Sequence, residues 1–196
     1  WVGADSSDLT ETTAATDTII TTVGTAYTAA TMDSITGFNA GSSNGDNVDI
    51  NWDDLDAMAA GNGLISNWDD SASDADGAAA SIISVVSGAT DMDNVTADTN
   101  ILAITGSFAT AAALDTALET GGSRALTFGG AWTADDIGLV LYSDGTDAYL
   151  ASVASAAGVA DNALAAANDL TTTQILKFVG ITDVSTFVNG NFDMIT

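Results

Sequence analysis

Only Glu11 and Glu119 among the 27 acidic residues are glutamates, which leaves 25 aspartates, while Arg124 and Lys177 are the only cationic side chains. Yet 46% of the chain is hydrophobic. This pairing constrains the fold more than any single motif does. Aspartate hydrogen-bonds to nearby backbone and favours turns, caps and oxygen-donor cation sites, whereas glutamate would have favoured helix interiors. A net charge of −25 must therefore be carried largely at turns and surface, around an apolar core built mainly from strands. The positive mean hydropathy, +0.26, separates the chain from disordered acidic tails.

An evenly acidic chain repels phosphates and anionic lipid surfaces, which excludes nucleic acid and membrane insertion as modes of binding. Divalent cations are its natural counter-charge. With no Cys and no His, thiolate and imidazole metal sites, disulfides and Ser-His-Asp or Cys-His catalysis are excluded. Nothing distinguishes any carboxylate pair as a glycosidase site among so many aspartates, and no phosphate-binding loop is present, so the chain is read as a non-enzyme. Neither a basic N-terminal leader nor an apolar run near the ~20 residues of a membrane span is visible. Trp1 in place of Met predicts a processed product or part of a longer chain.

The predicted fold class is β-rich, a β-sandwich or β-roll-capping sheet with a few short helices, with α+β as the alternative. Residues 17–28 and 33–38 are rich in Thr, Ile and Val and read as strands. Residues 39–47 form a Gly/Ser/Asn loop, after which Val48 and Ile50 alternate with Asp49 and Asn51 as a half-buried strand. Residues 53–60 read as one or two helical turns and 61–76 as loop. Residues 78–86 fit a buried helix or a strand equally. Further strands are expected at 101–105, 125–128, 137–142, 148–153 and 174–181, and helices at 110–120 and across the Ala-rich 156–170. The Asp144-Gly145 pair predicts a hairpin. The organisation expected is a β-rich segment over 1–60 and a C-terminal module over 61–196, or one continuous domain.

Met32-Asp33-Ser34-Ile35-Thr36-Gly37-Phe38, then Gly45-Asp46-Asn47-Val48-Asp49-Ile50, resembles the segment closing the calcium-binding β-roll in RTX-type proteins exported by type I secretion. Gly145–Leu150 and Leu176–Ile181 are similar to C-terminal strands of RTX and S-layer proteins, and Asn191–Thr196 looks like an uncleaved C-terminal secretion signal or a last strand. The tandem Gly-Gly-x-Gly-x-Asp repeats of that family are absent here. The resemblance implies a secreted protein that meets type I secretion machinery and calcium.

Calcium takes six to eight oxygen ligands from carboxylates, Asn and backbone carbonyls. Candidate ligands are Asp46, Asp49, Asp53, Asp54, Asp74, Asp76, Asp91 and Asp93. None follows EF-hand spacing, and each pair also reads as a turn former on a solvated surface. The function expected is an extracellular structural protein that self-assembles into an S-layer-like sheet or a filament, with itself and divalent cations as partners. The alternative is a calcium-dependent adhesin or glycan-binding terminal module, in which Trp1, Trp52, Trp68 and Trp132 would supply sugar stacking; core packing is the competing role for them. Arg124 and Lys177 are expected to make structural ion pairs or carbonyl contacts.

Overall fold

The computed structural model describes residues 8–10, 18–21, 32–41, 46–51, 68, 82–96, 99–134 and 136–195. Its organising strand is β9 (Ile137–Ser143), where all seven residues are buried. A strand loses contact with water on both sides only when both faces of its sheet are covered. Ile137, Leu139 and Leu141 enter one core cluster, while Val140 and Tyr142 enter a second on the opposite face. The period of two in a pleated strand divides the side chains in this way.

The central sheet has seven strands in the order β1 (Asp8–Thr10), β3 (Asp33–Thr36), β11 (Leu170–Val179), β10 (Ala148–Ser155), β9, β7 (Thr99–Ile104) and β5 (Ile82–Val86). The pairs β10–β9 and β10–β11 are antiparallel, and the others are parallel. A three-stranded parallel sheet carries β12 (Phe192–Ile195), β4 (Asn47–Asn51) and β2 (Thr18–Thr21). A two-stranded ladder joins β6 (Thr90–Asp91) to β8 (Leu126–Thr127).

Over β1 to β4 the chain alternates between two sheets, so β1 pairs with β3 in one and β2 with β4 in the other. β11 and β12 repeat the step at the C-terminal end, pairing with β3 and β4 respectively. Strands from 1–60 therefore share both sheets with strands from 61–196. Between the layers Phe38, Phe178, Phe187 and Phe192 form a ring cluster, with centroids 4.8 Å apart for Phe38–Phe178 and 5.0 Å for Phe178–Phe187. A bulge in β11 leaves Ile175 opposite no residue of β10 and turns both Ile175 and Leu176 into this core.

On the other face lies helix α1 (Ala111–Leu118), capped by the Thr110 hydroxyl accepting from the Ala113 amide. Leu114, Ala117 and Leu118 face the sheet. Beside it Trp68, Phe128 and Trp132 pack with centroids 4.8–5.8 Å apart, and the Trp68 indole N–H donates to Leu139 O at 3.0 Å.

The β-rich class holds, and the ambiguous 78–86 run contains a strand, β5. The expected helix over 156–170 is absent. That stretch is extended and irregular, crossing positive φ at Gly158, Asn162 and Asn168 and forming bridges at Val159 and Leu164. Alanine propensity is overridden by pairing with Thr127 and Trp132. Predicted elements at 53–60 and 61–76, apart from Trp68, lie outside the described residues. No helix among the described residues is long and apolar enough to cross a membrane.

Candidate metal centre

The loop between β3 and β4 is where the first resembling motif passes from one sheet to the other. Gly37 takes φ +85°, a conformation glycine reaches at little cost, and Phe38 drops into the inter-sheet core. Asn39 and Asp46 then close the loop reciprocally. The Asp46 amide donates to Asn39 O at 2.9 Å, and the Asn39 amide donates to Asp46 Oδ2 at 2.7 Å.

Asn191, fully buried just before β12, ties this loop to the C-terminal end. Its Nδ2 donates to Asp46 O at 2.7 Å, while its Oδ1 accepts from the amides of Gly41 and Val188. Asn47 adds a further link, its Nδ2 donating to Gly190 O at 3.2 Å.

Two oxygens in this junction have no donor. Asp46 is 2% exposed, and its Oδ1 is buried with no hydrogen-bond partner; Asn47 Oδ1 is in the same position. Other buried carboxylates differ. Glu119 accepts from the amides of Asn168 and Leu170, Asp169 from Ser155 Oγ and the Ala157 amide, and Asp147 from the Gly180 amide and Lys177 Nζ. Each of those three has both oxygens engaged.

The remaining candidates are dispersed. Asp49 lies two residues along β4, next to Asp193 of β12 in the parallel register. Burial, and secondarily the negative charge of Asp193, raise the Asp49 carboxyl above its ordinary value. Asp91 and Asp93 are exposed, with Asp91 Oδ1 capping a 3-10 turn at the Asp93 amide. Asp53, Asp54, Asp74 and Asp76 lie outside the described residues. Among the described residues no three acidic side chains form a preformed cluster. The second bare oxygen, beside Asp46, belongs to an asparagine, Asn47, a residue type that aspartate pairs in the sequence do not single out.

Elsewhere polar contacts hold elements together. The Thr172 hydroxyl donates to Asp115, Gln174 Nε2 to the Tyr142 hydroxyl at 2.6 Å, and the Tyr149 hydroxyl to Asp144 Oδ2 at 2.9 Å. Burial pushes Tyr142 up to about 12, and burial followed by the bond to Asp144 raises Tyr149. Asp144 also accepts from the amides of Thr146 and Asp147, which fixes the predicted hairpin turn. Lys177 pairs with Asp147 at 2.7 Å, and Arg124 donates to the carbonyls of Thr105 and Ser123. Trp68 and Trp132 are core residues, 1% and 5% exposed, which removes both from any sugar-stacking surface. Trp1 and Trp52 lie outside the described residues.

Comparison with family models, with curated proteins and with solved structures finds no match for this chain.

Proposed function

We propose that this chain is an extracellular structural module, exported by type I secretion, which assembles with copies of itself into an S-layer-like sheet or a filament in the presence of calcium. One observation carries the reading. The segment that resembles an RTX roll-closing motif occupies two successive strands, β3 and β4, of a two-sheet parallel winding, and the chain's last strands, β11 and β12, extend both sheets. A strand-to-turn-to-strand motif has its sequence logic in such a winding. The charge supplies the second half of the argument. Copies carrying −25 each repel one another, and a divalent cation lowers that repulsion where two acidic surfaces meet.

The adhesin alternative draws less support, because two of its four tryptophans are interior. Negative-stain electron microscopy of the purified chain, with millimolar Ca²⁺ and after chelation, tests the proposal. Ordered sheets or filaments that disorder on chelation are expected. Monodisperse particles in both conditions would overturn it and bring the binding-module reading forward.

A further inference from the structure

We propose that β5, an edge strand of the seven-stranded sheet, is the surface through which two copies of this chain pair, antiparallel and about a two-fold axis, so that their central sheets become one continuous sheet. The contact gives the self-assembly proposed above a surface, and rests on that reading for its partner.

β5 ends the strand order and pairs with β7 alone. In a parallel ladder successive residues turn their N–H and C=O groups to opposite sides of the strand. The Thr105 amide donates to Val86 O, so Val86, and Ser84 two residues before it, face β7. Ile83 and Val85 therefore direct their backbone groups away from the sheet, as the bond from the Ile83 amide to Asn189 Oδ1 at 3.0 Å shows. Val85 has no such partner among the described residues. Its side chain, 54% exposed, is also the most exposed large apolar one described.

A bare edge is a template for another strand, and edges are ordinarily blunted by charges, Pro, bulges or a covering element. Here the bulge between Ile82 and Ile83 and the cover from Asn189 both fall on the first half of β5. The second half has neither, and no charged residue occurs from 77 to 90. In a chain of net charge −25 this neutrality selects the partner. The edge strands β1 and β12 carry Asp8 and Asp193, so pairing β5 with either would draw a carboxylate towards an apolar edge. A second β5 brings none. A two-fold axis at Val85 sets each Val85 N–H against the Val85 carbonyl of the other copy, with the two Cα atoms about 5.5 Å apart and the two exposed side chains adjacent. β2 is a further uncharged edge, in the smaller sheet, but its pairing with β5 would be heterologous and would leave the two Val85 residues apart. A strand this short makes a contact below about 1,200 Å², weak and reversible in solution, which gains strength when repeated in a polymer.

The test uses the full chain in chelator, by sedimentation velocity up to millimolar concentration. Wild type is expected to show a reversible monomer–dimer equilibrium. Val85→Asp removes the apolar contact and sets like charges directly opposite, and is expected to weaken dimerisation about 10-fold or more. Val85→Thr keeps the β-branched shape and is expected to retain most of it. Leu164→Asp, the same kind of change at an exposed apolar residue outside the named strands, is expected to dimerise as wild type. Because the chain has no cysteine, a disulfide in Val85→Cys can only join two copies at that residue. Mild oxidation is expected to give covalent dimers of Val85→Cys well ahead of Leu164→Cys. A wild type that stays monomeric, unchanged dimerisation in Val85→Asp, or no excess cross-linking in Val85→Cys overturns the inference. Should Val85→Asp not fold, hydrogen exchange of the wild-type Val85 amide decides: it is expected to slow as chain concentration rises, and exchange independent of concentration overturns the pairing. Ordered sheets or filaments in Ca²⁺ that persist in Val85→Asp refute this contact but leave the proposed function standing. Dimers lost in Val85→Asp, with no ordered polymer from wild type in Ca²⁺, do the reverse.

Discussion

Gly138→Ala tests how closely the tryptophans lie on the central sheet. A Cβ at this position falls 2.6 Å from Trp68 Cε2 and 2.7 Å from Trp132 Cη2, and still closer to Trp68 Cζ2, all inside van der Waals contact. Neither ring has room to yield: Trp68 is 1% exposed and held by its bond to Leu139 O, and Trp132 packs edge-on against Phe128. Overpacking of this kind costs about 1–3 kcal/mol. Displacing the indole enough to break its hydrogen bond adds about 1 kcal/mol, and the lower chain entropy of Ala gives back about 0.5–1 kcal/mol. A net loss of about 1–3 kcal/mol is expected in urea unfolding followed by tryptophan fluorescence. A Trp68→Phe background separates clash from generic strand effects, because removing the larger ring should shrink the cost of Gly138→Ala through a coupling term. A neutral or stabilising Gly138→Ala, or the same cost in both backgrounds, would refute the packing argument.

Glu119→Ala leaves the buried amide of Leu170 and the amide of Asn168 without their 2.9 Å carboxylate acceptor, so it should destabilise by about 2–4 kcal/mol, with Glu119→Gln intermediate, in thermal melts. Asp193→Asn removes a like charge directly beside Asp49 in the parallel register and should stabilise by about 0.2–1 kcal/mol at neutral pH. The sign with pH follows from the raised Asp49 carboxyl: its stabilising contribution is present below the ordinary carboxylate value and is lost as pH rises through the folded-state value. The difference between Asp193→Asn and wild type should therefore vanish in acid, which chemical unfolding at pH 3 and pH 7 measures.

Strands were readable where apolar and polar residues alternate or where an apolar run is bracketed by turn residues, as at β3, β4, β9 and β10. The Asp144-Gly145 hairpin was readable because its turn is made by side chain and backbone within four residues. Residues 156–170 were not. Their alanines favour helix locally, and what prevents it is distant: the amide of Phe128 donates to Ala163 O, and Trp132 exchanges backbone bonds with Val159. Of the site, Asp46 and Asp49 could be named from sequence and Asp49 placed away from the core, but the burial of Asp46 could not be read. The strand alternation that points Asp49 outward says nothing of Asp46, one residue before the strand, and Asn191 reaches it from 145 residues away.

The preference for aspartate over glutamate now has a structural basis. Asp91, Asp144 and Asp183 each accept from an amide two residues ahead, and Asp136 from the Thr133 amide three residues behind. The short side chain suits such local turns, and Glu119, the described exception, instead spans 49 to 51 residues. At these four positions the carboxylate does turn chemistry that needs no cation. That is what gives Asp46 its weight: its Oδ2 accepts from a loop amide as the others do, while Oδ1, equally buried, is left over. Glu119, Asp147 and Asp169, also buried, have both carboxylate oxygens engaged, by partners 12 to 51 residues away in the cases of Asp169 and Glu119, so the bare oxygen of Asp46 is set apart from theirs and not a general feature of buried acids in the described residues.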